Sequence, residues 1–278
     1  MDVLQSSDEM RAWSRACRRR GETIAFVPTM GYLHQGHLSL VEGAKERADR
    51  VVASVYVNPG QFAPHEDFDT YPRDPEGDRE KLRLAGCDAV FEPPSLYVEG
   101  HQTWVRAEEL EAPLCGVSRP TFFRGVATVV SKLFHIVGPD VAVFGKKDYQ
   151  QWRIIETLSH ELDFGIEVVG MPLVRETDGL AMSSRNARLS VEERVQARAI
   201  SGALFEARRQ IENGLREAVI VQEGIQKTIT EAGGVVDYVE IISGRTLLPV
   251  RQITDHVVLA AAASFGGVRL IDNIEVEL

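Results

Sequence analysis

Two histidines three positions apart, His34 and His37, lie in a run that also holds Met30, Gly31 and Gly36. An imidazole donates a hydrogen bond to an anionic oxygen whether neutral or charged, and glycine lets a ligand approach the backbone closely. The run falls between a β-rich apolar stretch at 24–27 and a stretch where Leu38, Val41, Ala44 and Ala48 recur at helical spacing. Pro28 is expected to forbid ladder pairing at its position, and the helix is predicted to start near His37. The orphan N–H groups and partial positive charge of a helix N-terminus attract phosphate. Nucleotide binding ranks first for this corner. A ligand-free turn ranks second, and half a metal site third, because no cysteine or third histidine lies in the local unit.

Three later clusters carry polar groups, two where strands are predicted to end and one near the predicted domain boundary. Asn58 and Gln61 flank a Pro-Gly turn, where their amides either read hydroxyls and carboxylates or merely cap the turn. Gly145, Lys146, Lys147 and Asp148 open a helix; they suit a phosphate and a ribose, or an ordinary N-cap with exposed lysines. Met182, Ser183, Ser184 and Arg185 offer two hydroxyls and a guanidinium to a polyphosphate, or a capping serine loop ahead of a helix from Val191.

The elements that must position these groups alternate. Strand-like runs at 24–27, 51–57, 89–91, 141–144 and 166–169 are interleaved with helical patterns at 75–85, 126–137 and 149–162. That alternation predicts an α/β fold, a doubly wound parallel sheet of Rossmann-like type, whose ligands collect beyond the strand C-termini. After residue 174 the pattern changes to helical stretches at 191–213 and 215–232, then strands at 236–242, 257–263 and 268–271. Two domains are predicted, 1–174 and a smaller α+β domain at 175–278.

Composition sets bounds. The chain has 278 residues, 44% of them hydrophobic, and a formal net charge of −10, which argues against a broad nucleic-acid face. The basic run of Arg15, Arg18, Arg19 and Arg20 reads as a solvated helix face. Cys17, Cys87 and Cys115 are odd in number and widely spaced, as expected of reduced thiols in a cytoplasmic protein. No apolar signal core follows Met1, and no run approaches the roughly 20 apolar residues of a membrane span.

The strand, His-x-Gly-His turn and helix resemble the signature of the nucleotidylyltransferase and aminoacyl-tRNA synthetase superfamily, which works at the α-phosphate of ATP. Six segments in order, at 28–37, 57–62, 71–73, 124–126, 144–151 and 178–186, further resemble the pantothenate synthetase family of ligases. Gly60, Gly77 and Phe122 stand where bacterial members commonly have methionine, an acid and histidine; there the chain is similar to plant-type members.

The resemblance implies condensation of pantoate with β-alanine, driven by ATP through a pantoyl-adenylate. It implies that His34 and His37 contact the phosphates with Lys147, while Ser183, Ser184 and Arg185 hold the β- and γ-phosphates. His37, His34, Lys147 and Arg185 are the implied catalytic set. Met30, Gly31 and Gly36 would line the ATP site, with Gly145 and Asp148 at the ribose and Val174 and Met182 beside adenine. Gln61, Gln151, Asn58, Tyr71 and Met30 would bind pantoate or β-alanine. Mg2+ would accompany ATP, held mainly by the phosphates, with Asp78 its candidate protein ligand. A cytoplasmic homodimer is implied, with residues 175–278 as a lid over the site.

Overall fold

The computed structural model describes residues 1–64, 66 and 68–278. The chain opens with β1 (Asp2–Leu4) and α1 (Ser7–Arg19), then β2 (Ile24–Thr29), α2 (Gln35–Lys45), β3 (Arg50–Val55), α3 (Pro75–Ala85) and β4 (Ala89–Phe91). It continues through α4 (Cys115–Ser118), α5 (Phe122–Val137), β5 (Val141–Gly145), α6 (Tyr149–Glu161) and β6 (Glu167–Met171). Among the described residues these strands form one six-stranded sheet in the order β1-β4-β3-β2-β5-β6. Every neighbouring pair is parallel. From β2 the chain winds outward through β3 to β4, then returns past β2 to β5 and β6. The switch point therefore lies between β2 and β5, whose onward connections run to opposite sides, to β3 and to β6, and in such sheets ligands bind there beyond the strand C-termini.

Continuous apolar strands suit a sheet covered on both faces. Val27, Val51, Ala53, Val90 and Val143 are buried with Leu40, Val41 and Ala44 of α2 in one core. Helix α3 starts and stops as its sequence dictates: Asp74 caps it, Pro75 occupies its first turn, and Gly86 closes it at φ +85°.

Several expectations need correction. The strand does not stop at Val27 but runs through Pro28 to Thr29, with Pro28 in register with Ser54. The Thr23 and Thr29 carbonyls accept from β3 and the residue after it, whereas the Ile24 carbonyl accepts from Asp140 on the β5 side. By alternation Pro28 faces the β5 side, where pairing has already ended at Phe26, so its missing N–H costs no ladder bond. Helix α2 begins at Gln35, two residues before His37, because His34 caps it. Helix α5 begins at Phe122, a turn before residue 126. The basic run does lie on a helix, α1, whose Ser6–Glu9 capping box was not read from sequence.

The chain divides into two compact units: Met1–Lys146 with Gln150–Pro172, and Leu173–Leu278 with Lys147–Tyr149. The second unit contains α7 (Val191–Ala197), α8 (Ala199–Glu212), α9 (Ala218–Glu231), β7 (Val235–Ser243), β8 (Val257–Phe265) and β9 (Val268–Val276). Its strands pair antiparallel in the order β7-β8-β9. Ile200, Leu204 and Ile211 of α8 and Val221, Ile225 and Ile229 of α9 share a core with Ile241, Leu259, Ala261 and Ala263. The single helix expected at 191–213 is two, parted at Arg198. Arg194 pairs with Glu176 and Asp178, and the Arg198 Nε donates to the Asp178 carbonyl; these polar ties leave no trace in hydrophobic periodicity. Among the described residues no helix is long and apolar enough to cross a membrane.

Candidate active site

Strand β2 delivers the histidine turn to the switch point, and α3 holds it there. Asp78 of α3 is 1% exposed, and its two oxygens accept from Tyr32 N and Leu33 N, each at 2.7 Å. Tyr32 sits at φ +52°, a left-handed conformation that costs energy for a side chain of its size and persists only where its surroundings hold it. Gly31 sits at φ +86°, and a Cβ there would lie 2.9 Å from both Asp78 Oδ2 and Val55 Cγ1. Its glycine is thus demanded by the turn itself.

Beyond the turn, the His34 Nδ1 accepts from Gly36 N at 3.1 Å, and His34 N donates to the His37 Nδ1 at 3.3 Å. The two rings lie 4.1 Å apart between centroids. A neutral imidazole whose Nδ1 accepts carries its proton on Nε2, so both histidines are held in the tautomer that offers an Nε2–H donor. Strand β5, which pairs with β2, ends at Gly145, and Lys146 extends its ammonium over the Trp152 ring at 4.8 Å.

Gln61 lies in a 3-10 turn, Pro59–Gln61, beyond β3. Asn58, 1% exposed, spends its whole amide on the protein. Its Nδ2 donates to Gln61 Oε1 at 2.9 Å and to the Gly125 carbonyl at 3.1 Å. Its Oδ1 accepts from the Tyr97 hydroxyl at 2.8 Å and from Gly60 N at 3.2 Å. Asn58 therefore orients Gln61, fixing its oxygen inward and its Nε2 toward the Met30 thioether at 3.1 Å, a weak acceptor.

Three contributors to this arrangement were missed. Arg119 pairs with Glu66 and donates to the Gln61 carbonyl at 3.3 Å, while its guanidinium stacks over Phe122 at 3.8 Å. Tyr97 buttresses Asn58, and burial pushes its phenol well above the ordinary range. Gly125 is the third: a Cβ there would lie 2.1 Å from the Gly60 carbonyl. In the sequence Gly125 stood only within the 124–126 segment of the family resemblance, with no sign of its contact with Gly60.

Tyr71 is buried with its ring edge-on to Phe62 at 6.0 Å. Gln151 is half-buried on the first turn of α6, beside Gln150, whose amide is consumed by Cys115 N and the Leu110 and Pro113 carbonyls. Gln151 takes part in none of these three bonds.

In the second unit Lys147 and Asp148 stand in a 3-10 turn, with their charged ends 3.8 Å apart. Val174 and Met182 are brought side by side: Met182 N donates to the Val174 carbonyl at 3.0 Å, closing a tight hairpin through an Arg175–Ala181 bridge. Ser183 caps a 3-10 turn, Ser184–Arg188, by accepting from Arg185 N at 3.3 Å. The serine cap expected ahead of Val191 is instead Ser190. Behind the hairpin, Asp272 is 4% exposed and takes both terminal nitrogens of Arg175, at 2.7 and 2.9 Å. Burial pushes its carboxyl up, opposed by that guanidinium.

Asp78 is 1% exposed and committed to the histidine turn, which leaves a magnesium ion little access to it. Each of its oxygens already carries a backbone N–H, and among the described residues no group of three or more His, Cys, Asp or Glu side chains is placed to hold a metal ion. Asp78 supports the turn.

The model for the pantoate-beta-alanine ligase family matches residues 2–275. Among curated proteins, a pantoate--beta-alanine ligase of Oryza sativa subsp. japonica is 53% identical over 99% of this chain and 97% of its own length. Among solved structures, pantothenate synthetase from Thermus thermophilus superposes with a TM-score of 0.94 at 43% identity, covering 100% of both chains. The pantoate-beta-alanine ligase of Francisella tularensis, solved in complex with beta-gamma ATP and beta-alanine, gives a TM-score of 0.82 at 31% identity, covering 99% of this chain and 97% of that one. With the family model matched over residues 2–275 and a curated relative 53% identical over 99% of the chain, this chain belongs to the pantoate-beta-alanine ligase family.

Proposed function

We propose that this protein condenses pantoate with β-alanine to give pantothenate, AMP and pyrophosphate, through a pantoyl-adenylate. A carboxylate is a poor electrophile and does not release hydroxide to an amine. Transfer of AMP to the carboxylate supplies a leaving group, and the amine then displaces it. No covalent bond to the protein is required, so the protein contributes position and charge.

The observation that carries this assignment is the turn braced by Asp78, which holds two Nε2–H donors at the N-terminus of α2 beside the sheet's switch point. In the proposed reaction His34 and His37 donate to phosphate oxygens of ATP, with His37 giving its hydrogen bond where charge grows during transfer. Lys147 and Arg185 add positive charge, and Ser183 and Ser184 donate to the departing pyrophosphate. Gly145 and Asp148 receive the ribose, Val174 and Met182 flank adenine, and Met30, Gly31 and Gly36 line the phosphates. Gln61, with its oxygen held by Asn58, donates from Nε2 to pantoate, partnered by Gln151; Tyr71 closes the apolar side.

Magnesium is assigned to the phosphates of the co-substrate, and no step is derived through it. The proposal includes a homodimer in the cytoplasm, testable by light scattering and by cell fractionation. A transferase that leaves AMP on its product would use the same turn. Product analysis separates the two: free AMP with an amide is expected, and a stable adenylylated product would overturn the ligase assignment.

A further inference from the structure

Strand β9 carries two consecutive buried polar residues, Asp272 and Asn273, where a sheet strand ordinarily alternates. Their cross-strand neighbours are Ala261 and Ala260, small enough to leave both side chains room. Asp272 Oδ1 accepts from Arg175 Nη2 at 2.9 Å and from Asn273 N at 2.7 Å, and its Oδ2 accepts from Arg175 Nη1 at 2.7 Å. The same Arg175 donates to the Gly179 carbonyl at 3.1 Å, so it grips the hairpin at its base and near its tip. On the other side, Asn273 Nδ2 donates to the Lys147 carbonyl at 2.8 Å. Tyr149 anchors the same short segment through its hydroxyl, which donates to the Gly244 carbonyl at 3.0 Å.

Lys147–Tyr149 belongs to the second unit although the strand and helix around it belong to the first. A single strand thus holds both the Lys147 backbone and the hairpin that pairs Val174 with Met182. We infer that Asp272 and Asn273 are positioning residues that keep Lys147 in register with the hairpin, and act on the reaction through Lys147 and not by touching substrate. The inference rests on the proposed role of Lys147 at the phosphates.

A carboxylate accepting two guanidinium nitrogens and its neighbour's N–H has little freedom to rotate. That rigidity passes to the next residue, whose amide can then hold a carbonyl at a fixed distance. Loss of the amide would leave the Lys147 carbonyl without this partner and let the lysine stem drift. Displacements of about 1 Å cost transfer reactions up to roughly a hundredfold.

The test is a double-mutant cycle on the full chain, reading the rate of pantoate-dependent pyrophosphate exchange and the KM for ATP. Asn273→Ala is expected to lower the rate about tenfold or more with little change in KM, and to add almost nothing in a Lys147→Ala background. Asn273→Asp keeps the volume and sets an acceptor against the Lys147 carbonyl, so it should lose as much as Asn273→Ala; this variant decides the matter should the alanine variant not fold. Equal fold-losses in the wild-type and Lys147→Ala backgrounds would overturn the inference, as would full activity in Asn273→Asp. Undiminished exchange in Lys147→Ala alone would overturn the assignment of Lys147 beneath it.

Discussion

At the scale of residues, the division of labour is between groups that face a ligand and groups that hold them. His37 belongs to the first kind: its Nδ1 accepts from His34 N, which fixes the tautomer, and its Nε2–H is the proposed donor. His37→Ala should lower the exchange rate by about two to three orders of magnitude, the range for a lost proton or hydrogen-bond donor in the transition state. Far-UV dichroism should stay unchanged, and an undiminished rate would contradict the role. Asp78 belongs to the second kind. Asp78→Ala strands one buried and one part-buried N–H group at a left-handed tyrosine and its neighbour, a loss of about 2–4 kcal/mol in unfolding free energy by denaturant titration. Its residual activity should show the same magnesium midpoint as the wild type. A shifted midpoint would restore Asp78 as a metal ligand.

At the scale of elements, legibility followed hydrophobic period. Helix α3 was bounded to the residue by its helical pattern, and in the structure Asp74, Pro75 and Gly86 mark both ends. The start of α2 was misplaced because histidine is an uncommon cap, and its capping geometry depends on the His37 ring. The segment between β4 and α5 offered no period at all, and it holds Tyr97 and Arg119, which brace Asn58 and Gln61. Asn58 itself was visible, but not that its amide is spent on the protein. That bracing makes a prediction about Gly125, where the α5 backbone meets the Gly60 carbonyl and an added Cβ would lie 2.1 Å away. Gly125→Ala must displace backbone, costing about 1–3 kcal/mol in thermal or denaturant stability. It should also raise the KM for pantoate more than that for ATP. Equal changes in both would argue against Gln61 as a pantoate group.

At the scale of the whole molecule, the α/β sheet and a later α+β unit were legible because strands and helices alternate and then cease to. The assignment of Lys147–Tyr149 to the second unit was not, since it rests on Asn273 and Gly244, more than ninety residues away. Acid stability is also a long-range property. Arg50 and then Arg20 hydrogen-bond Glu22 and hold its carboxyl down to about 2. Because the folded value lies below the unfolded one of about 4.3, this contribution is complete above that pH and is lost as pH falls toward 2. The stability gap between wild type and Glu22→Gln, from urea titrations, should therefore narrow below about pH 4.5. A gap independent of pH would contradict the linkage.

Above all, this fold is proposed to activate pantoate by adenylation before the amine enters. Exchange of labelled pyrophosphate into ATP, followed with pantoate and β-alanine added separately, isolates that step. Exchange that requires pantoate and proceeds without β-alanine is predicted, with amide and AMP appearing once β-alanine is supplied. Exchange with no need of pantoate, or none until β-alanine is present, would contradict it.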